Sequence, residues 1–232
     1  MGRDQAHVQE PLQRRQSGRP TACRLVPVLV VRNLGKDTDY DAVFRAMRVF
    51  TDARCDTTPD EFWLTEHAPV FTQGQAGKAE FLLDPGDIPV VQSDRGGQIT
   101  YHGPGQIVGY VMFDLRRLGL TVRSLVRGIE RSIIGVLERY GIEGITRGNA
   151  PGVYVGTNKI AALGLRVRRG YSYHGLSLNV DMDLGPYQRI VACGLAGTGI
   201  TSMASLTDCS IDDVTPILVE ELARNYGFDE VS

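Results

Sequence analysis

The chain has 232 residues, of which 42% are hydrophobic, and its formal net charge is −2 at pH 7. This length and apolar content suit one globular domain with a sizeable core and exclude a disordered or fibrous chain. The balance of 25 basic and 27 acidic residues provides no overall positive field for wrapping nucleic acid.

The sequence shows no segment for membrane insertion or export. Its longest apolar stretches, such as residues 25–31, are far shorter than the ~20 residues needed to span a bilayer. The amino terminus lacks the apolar segment of a signal peptide. We therefore expect a cytoplasmic protein.

Four cysteines, Cys23, Cys55, Cys193 and Cys209, are spread along the chain. They have neither the C-x-x-C spacing of a zinc site nor the density of a disulfide framework. We expect free thiols in a reducing compartment, where a cysteine is most often a small buried hydrophobe. Only its surroundings can mark one of them as reactive.

The predicted elements are short strands and a few helices. Residues 1–24 are rich in Gln, Arg and Pro without apolar periodicity, which predicts a mobile tail outside the fold. Apolar residues recur at helical spacing in three segments, which begin near Asp39, Ser124 and Ser210. Strands are predicted at residues 26–33, 62–65, 90–92, 107–115 and 171–180.

A β-hairpin is predicted in the middle of the chain. Residues 152–155 and 159–167 read as two strands joined by Gly156, Thr157 and Asn158, so that Lys159 opens the return strand. Strands interrupted by only two or three helices favour an α+β fold with mixed sheets over a regular βαβ winding.

A glycine-rich segment precedes one of these strands. Residues 95–106 read RGGQITYHGPGQ, and glycine lets a backbone approach a ligand closely and turn its N–H groups inward. The segment predicts the wall of a narrow pocket, with an ordinary glycine-rich turn as the alternative. It matches neither the phosphate-binding loop nor the dinucleotide-binding motif, so a nucleotide site is not supported.

Two further segments carry reactive side chains. KIAALG at residues 159–164 places one lysine, Lys159, in an apolar strand, where a lysine commonly extends into water. VACGLAGTGITSM at residues 191–203 surrounds Cys193 with small residues. These leave room for an acyl group, and the backbone N–H groups are candidates to hold an oxyanion. Cys193 is therefore the candidate nucleophile.

The histidines indicate no metal centre. His67, His102 and His174 share no metal-ligand spacing, and no carboxylates converge on them, so we expect no bound metal. His102 and His174 each adjoin a glycine in a predicted pocket segment, which favours roles in the pocket wall. His67 is expected to be structural.

Together with RGGQITYHGPGQ, the segments at residues 150–184 and 192–203 resemble the lipoyl(octanoyl)transferase family of lipoate biosynthesis. Residues 63–80 and 85–94 look like the same family, and the likeness follows the chain in order. The resemblance implies one catalytic domain over residues 25–232. Its fold would be α+β, with mixed β-sheets flanked by helices, as in biotin and lipoate ligases.

Carried onto this chain, the resemblance makes Cys193 the nucleophile and Lys159 the lysine that promotes ionisation of its thiol. The substrate-contacting segments of the family fall on Arg95, Gly96, Gly97, Gln98, Ile99, Thr100, Tyr101, His102, Ala162, Leu163, Gly164, Gly175, Leu176 and Ser177.

The resemblance also implies the reaction and its partners. An octanoyl group would pass from octanoyl-acyl carrier protein to Cys193, and then to a lysine of a lipoyl domain. The acceptors would be lipoyl domains of 2-oxoacid dehydrogenase complexes and the glycine cleavage H protein. Since converting a thioester to an amide is downhill, neither ATP nor another cofactor is expected, and neither nucleic acid nor a membrane is an expected partner.

Three other functions stay open from the residues alone. An ATP-dependent lipoate or biotin ligase shares the fold and the lysine but does not need Cys193. A non-catalytic protein that only binds lipoyl domains or acyl carrier protein would need neither reactive side chain. A thioester hydrolase could use the same cysteine, and only the resemblance favours a transferase over it.

Overall fold

The computed structural model describes residues 28–148, 150–191 and 199–232. Their architecture is α+β, with mixed β-sheets and three helices, as the sequence predicted. The tail at residues 1–24 and the first two residues of the first predicted strand lie outside the described ranges. The elements in chain order are β1 (Val28–Asn33), α1 (Tyr40–Ala53), β2 (Asp60–Thr65), β3 (Val70–Gln73), β4 (Val90–Gln92), β5 (Ile99–His102), β6 (Gln106–Met112), α2 (Val122–Arg139), β7 (Ile145–Thr146), β8 (Gly152–Val155), β9 (Asn158–Arg168), β10 (Tyr171–Asn179), α3 (Ile211–Tyr226) and β11 (Glu230–Val231).

Two sheets organise the described residues. The larger has the strand order β11-β1-β2-β6-β10-β9-β8-β7, and the smaller has the order β4-β3-β5. In the larger sheet β1 runs parallel to β2 and β11, whereas β6, β10, β9 and β8 are antiparallel to their neighbours. The smaller sheet is also mixed, with β3 parallel to β4 and antiparallel to β5.

The helices cover the larger sheet through their apolar stripes. The stripe of α2 contributes Leu125, Ile129, Ile133 and Leu137 to the main core, which also contains Leu218 of α3. These side chains are fully buried, and burying each contributes about 1.5–3 kcal/mol. One face of the larger sheet is therefore apolar and covered by α2 and α3.

The opposite face of the larger sheet carries a second cluster. Val43 and Met47 of α1 pack there against Val108, Tyr110 and Met112 of β6. Successive side chains of a strand point to opposite faces, which is why β6 contributes to both clusters. Helix α1 begins after Asp39, whose side chain accepts a hydrogen bond from the N–H of Ala42, an N-cap interaction at the residue near which the sequence predicts the helix to begin.

Several element boundaries differ from the sequence predictions. Strand β6 ends at Met112 rather than at residue 115, because the N–H of Asp114 donates to a side-chain oxygen of Asp60 and the chain turns. The hairpin turn contains only Gly156 and Thr157, so β9 starts at Asn158. Helix α2 begins at Val122, before the predicted start near Ser124. Strands β3, β5, β7 and β11 were not predicted, since each is short and β5 lies inside the glycine-rich segment.

Among the described residues, no helix combines the length and the apolar character needed to cross a membrane. This finding adds nothing about the location of the protein, which stays a prediction.

Candidate active site

A cavity of about 490 Å³ lies against the α1 side of the larger sheet and extends around the edge of β9. Its base is formed by small side chains on adjacent strands. Ser177 of β10 is opposite both Val108 of β6 and Ala162 of β9. Gly175 is likewise opposite Gly164. Directly opposed residues in a sheet share a face, so these small residues leave space above the strands.

The glycine-rich segment passes close to β9 and is hydrogen-bonded to it. The N–H of Gly96 donates a 2.9 Å hydrogen bond to the carbonyl of Leu165. A Cβ atom added to Gly164 would lie 2.9 Å from the carbonyl oxygen of Gly96, so a side chain there would push the two chains apart. Gly97 has φ +85°, a conformation that non-glycine residues rarely adopt. This segment is therefore part of the cavity wall, and the simple-turn alternative does not describe it.

Arg95 anchors this wall to the smaller sheet. Its guanidinium is 2.6 Å from the carbonyl oxygen of Thr72 and 2.9 Å from the Thr72 hydroxyl, and it also donates to the carbonyl of Gly96. The side chain is buried yet borders the cavity. Arg95 thus fixes the glycine-rich segment and places positive charge at the cavity wall.

Lys159 is buried beside the same cavity, with only 4% of its surface exposed. Its ammonium donates to the carbonyl of Pro151 at 3.3 Å and lies 5.2 Å from the centre of the Tyr154 ring. A lysine that merely extends into water from a strand end would be exposed, so that alternative is excluded here. Burying an ammonium is costly without polar partners, which favours a functional reason for its position.

Cys193, the predicted nucleophile, lies outside the described residues, as do all of residues 192–198. The chain on both sides of them is bonded to described elements. The N–H of Val191 donates to the carbonyl of Phe81, and the carbonyl of Gly199 accepts from the N–H of Lys159. The described residue that follows the Cys193 segment is therefore hydrogen-bonded to the backbone of Lys159.

The other cysteines differ from one another. Cys23 lies outside the described residues, and Cys209 is a half-buried free thiol. Cys55 is an exposed free thiol, and hydrogen bonds with the hydroxyls of Thr57 and Thr58 lower its pKa to about 7. The sequence analysis did not predict these hydrogen bonds of Cys55 or its lowered pKa, which depend on a local turn. Cys55 is absent from the cavity lining.

Aromatic rings form the most deeply buried part of the cavity. Tyr40, His102, Tyr110 and His174 all line it and are almost fully buried. His67 does not line it; its Nδ1 donates to the carbonyl of Thr38 at 3.0 Å, and its Nε2 accepts from the Tyr110 hydroxyl at 2.5 Å. The interpretation of His102 and His174 as wall residues and of His67 as structural agrees with this arrangement.

These histidines are held neutral by their surroundings. Burial lowers the pKa of His102 to about 3, with a further contribution from nearby His67. Burial also lowers the pKa of His67 and of His174. At neutral pH the rings are therefore uncharged and compatible with an apolar ligand.

His174 has an unusual backbone and an unsatisfied atom. Its φ is +58°, which is strained for a residue other than glycine. Its Nε2 donates to Asp94 at 2.8 Å, and the Tyr173 hydroxyl donates to the same carboxylate at 2.6 Å. Its Nδ1 is buried without a hydrogen-bond partner in the described structure. The ring is thus fixed by Asp94 with one acceptor unused.

The structure brings together most of the residues predicted to contact substrate. Thirteen of the fourteen line the cavity, and Tyr101 instead packs in the core of the smaller sheet with Phe71 and Tyr187. Their binding role stays a prediction. Sequence reasoning missed these lining residues: Tyr40, Ala76, Val108, Tyr110, Val122, Val126, Ala150, Pro151 and Leu165. Nothing in their local sequence marks them, because distant segments bring them to the cavity.

No group of three or more His, Cys, Asp or Glu side chains within the described ranges is arranged to hold a metal ion. Since residues 192–198 and the tail lie outside those ranges, the expectation that the protein binds no metal stays a prediction.

Comparison with known proteins agrees with this fold and shows the family of the chain. Residues 39–223 match the family model of the lipoyl protein ligase A/B catalytic domain. The chain is 56% identical to an octanoyltransferase of Cellvibrio japonicus over 207 residues, which cover 88% of this chain and 96% of that protein. It is also 56% identical to an octanoyltransferase of Serratia proteamaculans over 204 residues, covering 88% and 91% of the two chains.

Two solved structures share the fold at low sequence identity. A bipartite lipoate protein ligase of Thermoplasma acidophilum has a TM-score of 0.73 at 15% identity, covering 88% of this chain and 86% of that chain. The biotin protein ligase of Aquifex aeolicus, in complex with biotin and ATP, has a TM-score of 0.54 at 10% identity, covering 86% and 69%.

Proposed function

The chain belongs to the lipoyl protein ligase A/B catalytic-domain family and is an acyltransferase of its octanoyltransferase branch, and from this premise we propose its reaction. The enzyme takes an octanoyl group from octanoyl-acyl carrier protein, holds it as a thioester on Cys193, and transfers it to a lysine of a lipoyl domain. The acceptors are lipoyl domains of 2-oxoacid dehydrogenase complexes and the glycine cleavage H protein.

The observation that carries this proposal is the position of Lys159. It borders a cavity with a mostly apolar lining and is hydrogen-bonded through its backbone to Gly199, in the chain that follows the Cys193 segment. A cysteine is only a few per cent thiolate at neutral pH unless a cation or N–H donors stabilise it. An ammonium in this place favours the thiolate.

In the first step, the Cys193 thiolate attacks the carbonyl carbon of the donor thioester. The tetrahedral intermediate collapses, the bond to the carrier's sulfur breaks, and the leaving thiolate takes a proton from the Lys159 ammonium. The products are acyl-Cys193, the free thiol of the carrier and a neutral Lys159 amine. Once acylated, the sulfur no longer provides an anionic partner for Lys159.

In the second step, the acceptor lysine approaches as an ammonium and gives a proton to the Lys159 amine. Its neutral amine attacks the acyl-Cys193 carbonyl, an amide bond forms, and the Cys193 thiolate leaves. The proton lost by the attacking nitrogen passes to solvent, which restores the ammonium and thiolate pair. The thioester supplies the driving force, so no nucleotide is consumed.

The cavity suits a medium-length acyl chain. Neutral histidine and tyrosine rings line its buried part, and small side chains form its base. Burying a methylene contributes about 0.8 kcal/mol, so the six methylenes of an octanoyl group contribute roughly 5 kcal/mol. One methylene more or less therefore changes little, and discrimination between chain lengths is limited to roughly tenfold to two-hundredfold per carbon, so we expect a graded chain-length preference.

A direct test is the intact mass of the protein and of an acceptor lipoyl domain after incubation with octanoyl-acyl carrier protein without ATP. We expect one octanoyl group on the wild type, none on Cys193→Ala, and octanoylated acceptor only with the wild type. An absolute requirement for ATP would indicate a ligase, and free octanoate without octanoylated acceptor would indicate a hydrolase. Acylation of the Cys193→Ala variant would show that Cys193 is not the nucleophile.

A further inference from the structure

Helix α2 exposes two arginines beside the mouth of the cavity. Val122, in its first turn, is 51% exposed, and both it and half-buried Val126 line the cavity. Arg123 and Arg127 follow these valines in the sequence and are exposed. The cavity therefore opens onto a surface where apolar and positively charged side chains alternate along the helix.

These arginines are not used within the described structure. Neither Arg123 nor Arg127 makes a hydrogen bond or an ion pair there, whereas Arg139 at the other end of α2 pairs with Glu220 and Glu221. Arg131, one turn after Arg127, is also exposed. At 1.5 Å per residue, the three arginines form a row of about 12 Å.

Arg123 is a basic residue at a helix position where the helix dipole favours an acidic one. The first turn of an α-helix carries partial positive charge and favours acidic residues, yet the first turn of α2 contains no acidic residue and does contain Arg123. The helix terminus and the arginines thus produce positive potential in one place. In a chain with net charge −2, this positive charge is local and lies on the helix that borders the cavity through Val122 and Val126.

From this juxtaposition we infer that the amino-terminal half of α2, with Arg123, Arg127 and Arg131 beside exposed Val122, is the docking surface for an acidic carrier protein that delivers the acyl thioester. The inference rests on the proposed function and identifies where its donor binds. Complementary charge increases the association rate and weakens with salt. The valines at the mouth provide an apolar contact for the arm that bears the acyl group.

The test separates docking from chemistry by using two donors. Octanoyl-acyl carrier protein presents both the acyl group and the acidic surface, whereas octanoyl-pantetheine presents the thioester without charge. The test variant is Arg123→Ser/Arg127→Ser. The matched control is Arg45→Ser/Arg48→Ser, which removes two exposed arginines from α1.

For the test variant we expect the KM for octanoyl-acyl carrier protein to rise at least tenfold, with a smaller dependence on salt, and the KM for octanoyl-pantetheine to change less than twofold. The control should match the wild type with both donors. Titration of the carrier protein alone should show the same loss of binding in the test variant.

Three results would overturn the inference: an unchanged KM for the carrier donor, an equal rise in KM for both donors, or a rise confined to the KM for the acceptor domain. If the wild type transfers from neither donor while the carrier still binds through the arginines, the proposed function fails and the docking surface stands.

Discussion

The backbone N–H of Lys159 donates a 2.8 Å hydrogen bond to the carbonyl oxygen of Gly199, and the carbonyl of Lys159 accepts one from Thr201. These bonds tie β9 to the chain that emerges from the Cys193 segment. Any change at Lys159 that preserves the strand therefore tests its side chain rather than this backbone connection.

Lys159→Ala should make Cys193 less reactive, because it removes the cation proposed to stabilise the thiolate. We expect the pH midpoint of iodoacetamide labelling at Cys193 to rise by at least one unit, equivalent to about 1.4 kcal/mol. Cys55 must be replaced by serine, since its lowered pKa of about 7 would make it label as well; Cys23 and Cys209 are replaced too.

Lys159→Arg is the informative companion variant. Its fixed charge can keep the Cys193 thiolate, and the carrier thiolate can leave and take its proton from solvent, so acylation can proceed. A guanidinium cannot act as a base for the incoming amine. We expect it to accumulate acyl-enzyme and to transfer poorly. An unchanged labelling midpoint in Lys159→Ala would reject the two-residue mechanism even if Cys193 proved to be the nucleophile.

Ala162→Val should shorten the acyl chain that the enzyme accepts. Ala162 lines the cavity opposite Ser177, and extra methyl groups there would occupy acyl space. We expect kcat/KM for octanoyl donor to fall at least tenfold and that for hexanoyl donor to fall less. Thr157→Val, in the exposed turn of the same hairpin, should behave as the wild type. Equal losses with both chain lengths would remove Ala162 from the acyl site.

Gly175→Ala should destabilise the fold rather than selectively weaken binding. A Cβ atom at Gly175 would lie 2.0 Å from the carbonyl oxygen of Gly109 on the neighbouring strand, and overpacking of this kind typically costs 1–3 kcal/mol. Ser177→Ala, two residues along β10, removes only a hydroxyl and should change the free energy of unfolding far less. Urea denaturation of both variants measures the difference. A Gly175→Ala variant as stable as the wild type would contradict the structural reason for this glycine.

The buried histidines should make the protein less stable at acid pH. The pKa of His102 is about 3 in the folded protein against about 6.5 when unfolded, so between these values the unfolded chain binds more protons. The free energy of unfolding is therefore highest above pH 6.5 and falls as the pH drops towards 3, by up to about 1.4 kcal/mol per unit for one histidine.

His102→Asn tests this contribution, since an asparagine amide can still donate to Gln106, the partner of His102 Nδ1. Urea unfolding at pH 7.5, 6.5 and 5.5 should show a shallower loss of stability than in the wild type. The loss should not vanish, because the pKa of His67 and of His174 is also lowered. Parallel stability profiles would show that His102 is not the group responsible.

The enzyme family was recognised through the resemblance of several long motifs to a known family, whereas the residue pattern by itself was sufficient for the fold class and most of the helices and strands. Local patterns carry this information: the stripe of α2 has helical period, and Asp39 and Ser210 lie at the helix caps where their side chains accept backbone N–H groups. The glycine-rich segment was also recognisable as a wall. Its φ of +85° at Gly97 is a local requirement that a sequence can reveal.

Only the tertiary structure decided which distant residues share the cavity. Tyr40 and Tyr110 reach it from α1 and β6, and Tyr101 turns into the core of the smaller sheet although its neighbours line the cavity. Sheet register sets the positions of Tyr110 and Tyr101, and a shift of one residue would move each of these two side chains to the opposite face. The burial of Lys159 is likewise tertiary: a lysine at a strand end is normally solvated, and here Pro151 and the chain from Gly199 to Thr201 contact it instead. Local sequence determines period and caps, whereas burial and register depend on segments that meet only after folding.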